Sequence, residues 1–164
     1  MASPCCATRG ERERALVGLV SDTHDNEPAV RAAAGFLRER RPDLVLHLGD
    51  VTTKGTLALL VGLPLVVLRG NNDPPTMGAL DWSDTLAGVK VHAHHGHLKP
   101  HLQGEPDVLL HGHTHRRRAE RVGRTLVVNP GALHRAPTKT IALLRLPACE
   151  VEFYEVRDEG VAPL

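Results

Sequence analysis

The stretch Ala15 to Asp50, ALVGLVSDTHDNEPAVRAAAGFLRERRPDLVLHLGD, decides the architecture. Ala15 to Val20 is an apolar run suited to a buried strand, and it stops at Ser21-Asp22, where polar side chains take over. Asn26 to Arg41 then reads as a helix. Val30, Ala33, Ala34 and Leu37 form an apolar stripe, Pro28 falls in the first turn where its missing N–H is tolerated, and arginines gather toward the end. Pro42 closes the helix, and Leu44 to Leu48 is a second strand that delivers Gly49-Asp50. Both strands therefore hand over to carboxylates, with His24 two residues beyond the first.

The same grammar continues downstream. Thr56 to Val61 reads as a short helix and Leu65 to Leu68 as a strand ending at Gly70-Asn71-Asn72-Asp73, which completes a β-α-β-α-β beginning. Leu80 to Leu86 and Val89 to His94 flank a hairpin turn at Ala87-Gly88, after which His95-Gly96-His97 appears. Val108 to His111 leads into Gly112-His113-Thr114-His115, and Thr125 to Val128, Thr140 to Leu146 and Val151 to Val156 read as later strands. So many strands and so few helices predict an α/β protein with two sheets. A single domain over 14–158 is expected, with a flexible N-terminal tail at 1–13 and a C-terminal tail at 159–164.

Composition narrows the class. The 164 residues suffice for one core without disulfides. Lys and Arg total 20 against 19 for Asp and Glu, which gives no electrostatic argument for a nucleic-acid or membrane-surface partner. Two Phe, one Trp and one Tyr offer few stacking platforms, which disfavours a nuclease. Cys5, Cys6 and Cys149 are an odd number with no framework spacing, and 1–10 has no apolar signal core. The longest apolar stretch, Leu57 to Leu68, is too short for a membrane span and is interrupted by Pro64. A cytoplasmic location is expected, and the oligomeric state is open, with a homodimer among the options.

The chemistry lies in the strand-end residues. In extended backbone Asp22 and His24 face the same way and share one cation, and His113 and His115 repeat that spacing. Asp50, Asn71 and His95 each neighbour a glycine that lets the backbone turn closely around a site. Two Asp, one Asn and four His make one bridging ligand plus three private ligands for each of two ions, with positions left for water and substrate. Nitrogen and oxygen donors without thiolate suit Mn²⁺, Zn²⁺, Fe²⁺ or Ni²⁺. Two such ions roughly 3.5 to 4 Å apart acidify a bridging water and clamp an in-line displacement at phosphorus.

In this order, Asp-x-His, Gly-Asp, Gly-Asn, His-Gly-His and Gly-His-x-His, the chain resembles the calcineurin-like metallophosphoesterases, in particular their small single-domain bacterial and archaeal phosphodiesterases. The resemblance runs from Leu16 to about Arg135. It implies a four-layer α/β/β/α sandwich with two mixed β-sheets and two divalent metal ions at their edge, Mn²⁺ favoured. Asp22, His24 and His115 would bind one ion, Asn71, His95 and His113 the other, and Asp50 would bridge. The implied reaction is hydrolysis of a small phosphoester, a diester before a monoester, by in-line attack of the bridging hydroxide.

Two departures bear on this. Many members of the family carry His after the Gly-Asn pair to protonate the leaving group, whereas this chain has Asn72, an amide that cannot serve as an acid near neutral pH. Asn72 is expected to bond a phosphate oxygen, and His97 is the candidate proton donor. The ten residues from His97 to Pro106 hold only a short helix, where a crossover usually needs about a dozen or more. His47 reads as a buried supporting histidine, His92, His94, His101 and His134 as structural or exposed, and His111 as outside the ligand set. Asp73 either orients a ligand or caps a turn. Asn129-Pro130-Gly131 resembles a loop near the family's site. The competing reading is a weakly catalytic or non-catalytic protein-binding scaffold like the retromer subunit of the same fold.

Overall fold

The computed structural model describes residues 12–164. In chain order the elements are β1 (Ala15–Val20), α1 (Glu27–Arg40), β2 (Leu44–His47), α2 (Lys54–Ala58), β3 (Leu65–Val67), β4 (Asp81–Leu86), β5 (Val89–His94), β6 (Val108–Leu110), β7 (Arg118–Val122), β8 (Thr125–Asn129), β9 (Thr140–Leu146), β10 (Glu150–Arg157) and β11 (Gly160–Pro163). The expected tail at 1–13, with Cys5 and Cys6, lies outside the described residues apart from Arg12 and Glu13. Arg12 forms an ion pair with Asp43.

Two mixed sheets face each other. One has the order β11-β10-β9-β1-β2-β3, with β1, β2 and β3 parallel and the other three antiparallel to their neighbours. The second has the order β4-β5-β6-β8-β7, in which β5, β6 and β8 are parallel. Val17, Leu19, Leu44 and Leu46 of the first sheet and Val91, Ala93, Leu110 and Val128 of the second share one apolar core. This is the inward half of each strand's alternation.

A second core joins the six-stranded sheet to α1, whose Val30, Ala33, Ala34 and Leu37 are fully buried against Val45, Ile141 and Leu143. Asn26 precedes the helix but bonds elsewhere, its Nδ2 donating to the Leu133 carbonyl at 2.7 Å. Arg41 ends the helix in the left-handed conformation at φ 51°, its N–H bonded to the Leu37 carbonyl, and Pro42 prevents continuation. Burial of Val30 and Leu37 stabilises the layer by roughly 1.5–3 kcal/mol each.

Sheet composition and layering follow the α/β expectation, with both helices on one outer face. On the other outer face, over β4 and β5, the described residues place the loop 98–107. The short interval between His97 and Pro106 explains this, and the exposed strand face is correspondingly polar, carrying Ser83, Thr85, Lys90 and His92. The segment at 159–164 is not a tail: β11 pairs with β10 through Val156 and Val161, closing that edge of the sheet. No helix among the described residues is long and apolar enough to cross a membrane.

Candidate metal centre

The parallel strands of both sheets end on one edge, and their exits supply the cluster. β1 runs into Asp22 and His24, β2 into Asp50, β3 toward Asn71, β5 into His95 and His97, and β6 into His113 and His115. Hydrogen bonds within each sheet, and one from His113 to Asp22 between the sheets, lock these exits together. The Asp22 N–H donates to the Gly49 carbonyl at 3.0 Å, the His113 N–H to Asp22 Oδ2 at 3.0 Å, and the Gly112 N–H to the His95 carbonyl at 2.8 Å.

Local conformation differs from the extended pattern expected for Asp-x-His. Asp22 (φ 51°), His24 (φ 39°), Asp25 (φ 57°), Asp50 (φ 57°), Thr52 (φ 77°), His113 (φ 68°) and His115 (φ 58°) are all left-handed, a region that costs a non-glycine residue roughly 1–2 kcal/mol. Such strain persists only where surroundings over-determine it. Here they do: Asp73 Oδ2 accepts the Asp50 and Gly70 N–H groups, both at 2.8 Å, and Oδ1 accepts that of Thr52 at 2.7 Å. Asp73 thus both holds a turn and positions Asp50. Asp25 accepts the hydroxyls of Thr52, Thr53 and Thr56, the last two at 2.7 and 2.6 Å.

The side chains converge closely. Asp22, His24 and His115 bring ligand atoms within 4.8 Å of one another, and so do Asp22, Asp50 and His95. His115 Nε2 lies 3.2 Å from Asp22 Oδ1, while Asp50 Oδ2 lies 3.4 Å from His24 Nε2 and 3.5 Å from His95 Nε2. Asn71 Oδ1 is 3.1 Å from His95 Nε2, and the His113 ring centroid is 5.1 Å from that of His95. All seven candidate ligands therefore belong to one cluster.

The donor chemistry fits cations. Asp22 Oδ1 and His24 Nε2 are buried and have no hydrogen-bond partner, an arrangement that is costly unless a cation satisfies them. His95 Nδ1 donates to the Leu48 carbonyl at 2.7 Å, which leaves the Nε2 lone pair facing the carboxylates. Burial opposes protonation of His95, yet hydrogen bonding to Asp50 and the charge of Asp22 raise its pKa above the ordinary value. Burial likewise works against ionisation of Asp50, but His95 and Asn72 hold its carboxyl well below the usual carboxylate range. The carboxylates thus draw positive charge toward themselves.

Other residues take supporting places. Asn72 does not project its amide free of the cluster: its N–H and Nδ2 donate to Asp50 Oδ1 and Oδ2 at 3.0 and 2.8 Å. His97 Nδ1 is buried without a partner, its ring 5.3 Å from that of His95. Burial, then His95 and His113, lower its pKa. His47 is fully buried, with Nε2 3.1 Å from Thr23 Oγ1 and Nδ1 accepting the Gly49 N–H at 3.3 Å. His111 stays outside the groups, its Nδ1 3.0 Å from the Gly112 carbonyl oxygen.

Sequence reasoning missed one support, Ser21, and placed a second, Asn129, near the site only by resemblance. Ser21 Oγ donates to Asp22 Oδ2 at 2.5 Å, and Asn129 Nδ2 donates to the Gly112 carbonyl at 2.9 Å and to Thr114 Oγ1 at 3.0 Å. Ser21 follows the end of β1 and Asn129 is the last residue of β8, which was the available signal. Gly112 also has a steric reason: a Cβ there would meet Ser21 Oγ at 2.0 Å.

Comparison with known proteins agrees with this architecture. Residues 16–148 match the calcineurin-like phosphoesterase superfamily domain. A phosphodiesterase of Methanocaldococcus jannaschii is 29% identical over 136 residues, covering 70% of this chain and 82% of that protein. A probable metallophosphoesterase of the same organism is 35% identical over 143 residues, covering 79% and 74%. Among solved structures, an archaeal phosphodiesterase superposes with a TM-score of 0.77 at 26% identity, covering 85% of this chain and 99% of the other. The Zn²⁺ complex of Vps29 from Entamoeba histolytica shares the fold, with a TM-score of 0.74 at 23% identity and coverage of 91% and 97%. With the matched domain spanning most of its length and both sheets, the chain belongs to the calcineurin-like phosphoesterase superfamily.

Proposed function

We propose that this protein is a two-metal phosphodiesterase acting on small phosphoesters. Asp22, His24 and His115 would hold one divalent ion, Asn71, His95 and His113 the other, and Asp50 both, with Mn²⁺ the first choice and Zn²⁺, Fe²⁺ or Ni²⁺ compatible with the same donors. The observation that carries this reading is the position of Asp50 Oδ2, 3.4 Å from His24 and 3.5 Å from His95, so that one carboxylate oxygen serves imidazoles of both groups. When bound, the ions would supply an acidified water and neutralise charge developing on the phosphoryl oxygens.

The protein's own residues do the positioning. Asn72 fixes Asp50 through two hydrogen bonds and Asp73 fixes the backbone on either side of it. His95 is held in a single tautomer by the Leu48 carbonyl. Asn72 has no proton to give near neutral pH, so leaving-group protonation falls to His97 or is dispensed with, which favours diesters with good leaving groups. The scaffold reading draws on the fold shared with Vps29, and the complete ligand set argues against it.

The test is turnover of bis-aryl and mono-aryl phosphates by the full chain loaded with Mn²⁺, Ni²⁺ or Zn²⁺, with ion content measured in the same samples. The diester should turn over faster. Two bound ions and no turnover would establish the scaffold reading instead. Asn72→His should raise monoester turnover more than diester turnover, and equal changes would refute the account of leaving-group protonation.

A further inference from the structure

The outer face of the five-stranded sheet carries a cavity of about 480 Å³, in the size range of small-molecule sites and separate from the cluster above. It exists because the connection from β5 to β6 is a loop: residues 101–106 form one wall and the outward side chains of β4 and β5 the floor. Three of these side chains are joined in series. Ser83 Oγ lies 2.6 Å from His92 Nδ1, and His92 Nε2 lies 2.7 Å from Asp81 Oδ1. The register pairs Ser83 with His92 across the hairpin.

Burial grades along the series. Ser83 is exposed, His92 is 4% exposed and Asp81 is half-buried. An ionised carboxylate only accepts hydrogen bonds, so Asp81 fixes the proton of His92 on Nε2 and leaves the Nδ1 lone pair facing the Ser83 hydroxyl. Burial opposes ionisation of Asp81, but hydrogen bonds from His92 and His101 hold its carboxyl below the ordinary range. The His101 N–H bonds Asp81 Oδ1 at 3.2 Å, and its Nδ1 lies 3.3 Å from Oδ2. Pinning the loop requires only Asp81 and His101. The Ser83–His92 arm adds nothing to that, and it ends on an accessible hydroxyl.

The geometry points to a second, metal-independent hydrolytic site in which Ser83 is the nucleophile, His92 the general base and Asp81 its orienting carboxylate, acting on small carboxylic esters. The arrangement of roles is that of an acyl-transfer triad, recognised by geometry rather than chain order. β4 is an edge strand, and the two-residue turn at Ala87-Gly88 makes Ser83 and His92 a non-hydrogen-bonded pair. The Ser83 N–H therefore faces the open edge, free to meet a developing oxyanion. Leu102 and Pro106 give the cavity an apolar wall and Lys90 a cation.

In the reaction, Ser83 Oγ bonds to the ester carbonyl carbon while its proton passes to His92 Nδ1. Collapse breaks the bond to the leaving oxygen, which takes that proton and departs as the alcohol. Water then adds to the acyl-Ser83, its proton passes through His92 to Ser83 Oγ, and the carboxylic acid is released.

The experiment uses the full chain in EDTA, so that metal-dependent chemistry is silent. A fluorophosphonate probe should label Ser83, identified by peptide mapping, and p-nitrophenyl acetate should be hydrolysed with a burst. Ser83→Ala, at an exposed position with an unchanged melting curve, should lose the label and lower turnover by about a hundredfold, with Asp81→Asn lowering it less. No adduct on Ser83, or wild-type turnover in Ser83→Ala, would overturn the proposal.

Discussion

The two rims of the sandwich follow different rules. On the rim where the parallel strands end, eight non-glycine residues hold left-handed backbone: Asp22, His24, Asp25, Asp50, Thr52, His113, His115 and Arg135. On the opposite rim the described residues include three, Arg41, Ala87 and Cys149, and each is an ordinary helix cap or hairpin turn. Turn chemistry suffices at the second rim. At the first, carboxylate clamps and hydrogen bonds between strand exits impose conformations that local sequence preference would not select, and five of the side chains so placed, Asp22, His24, Asp50, His113 and His115, are metal-ligand candidates.

The sharpest break between the rims is chemical. Asp50→Asn should lower phosphodiester turnover by about a thousandfold, because it weakens the one carboxylate near both imidazole groups. Near-normal rates would remove Asp50 from its proposed role. A smaller effect is expected from pH. Burial lowers the His47 pKa from its ordinary 6.5 to about 4, so the folded protein holds it neutral while the unfolded chain takes a proton below 6.5. Its contribution to stability is complete above that value and is lost as pH falls toward 4, by roughly 3 kcal/mol. Urea melts across this range should show the slope, and His47→Gln should flatten it.

Asp73→Asn replaces one acceptor oxygen with a donor facing backbone N–H groups, and should cost about 2 kcal/mol in the same melts. A loss no larger than that of an exposed surface change would mean that the strained rim holds itself. At the far rim, Ala87→Gly relieves a left-handed alanine (φ 49°) and should stabilise the protein by about 0.5 kcal/mol with no effect on activity.

Much of this was legible in the chain. The strand–ligand–helix order placed each candidate ligand just past a strand, and the apolar stripe of α1 gave its buried face. The unread parts share a physical cause. β7, Arg118–Val122, is an exposed edge strand with no buried alternation, and β11 is four residues ending at Pro163. Neither leaves a hydrophobic period to detect. The left-handed turns at Asp22 and His24 depend on partners such as Gly49 and His113, far away in sequence, and Asn72 turned toward Asp50 for the same reason.

Asp73 joins the loop after β2 to the loop after β3 through three backbone amides, those of Asp50, Thr52 and Gly70. These amides should exchange with deuterium as one cooperative unit, slower than their loop location suggests. Neither loop opens without the other, so Asp50 and Asn71 are released together or not at all, and on the proposed reading loss of the ions would be a concerted event rather than a stepwise fraying.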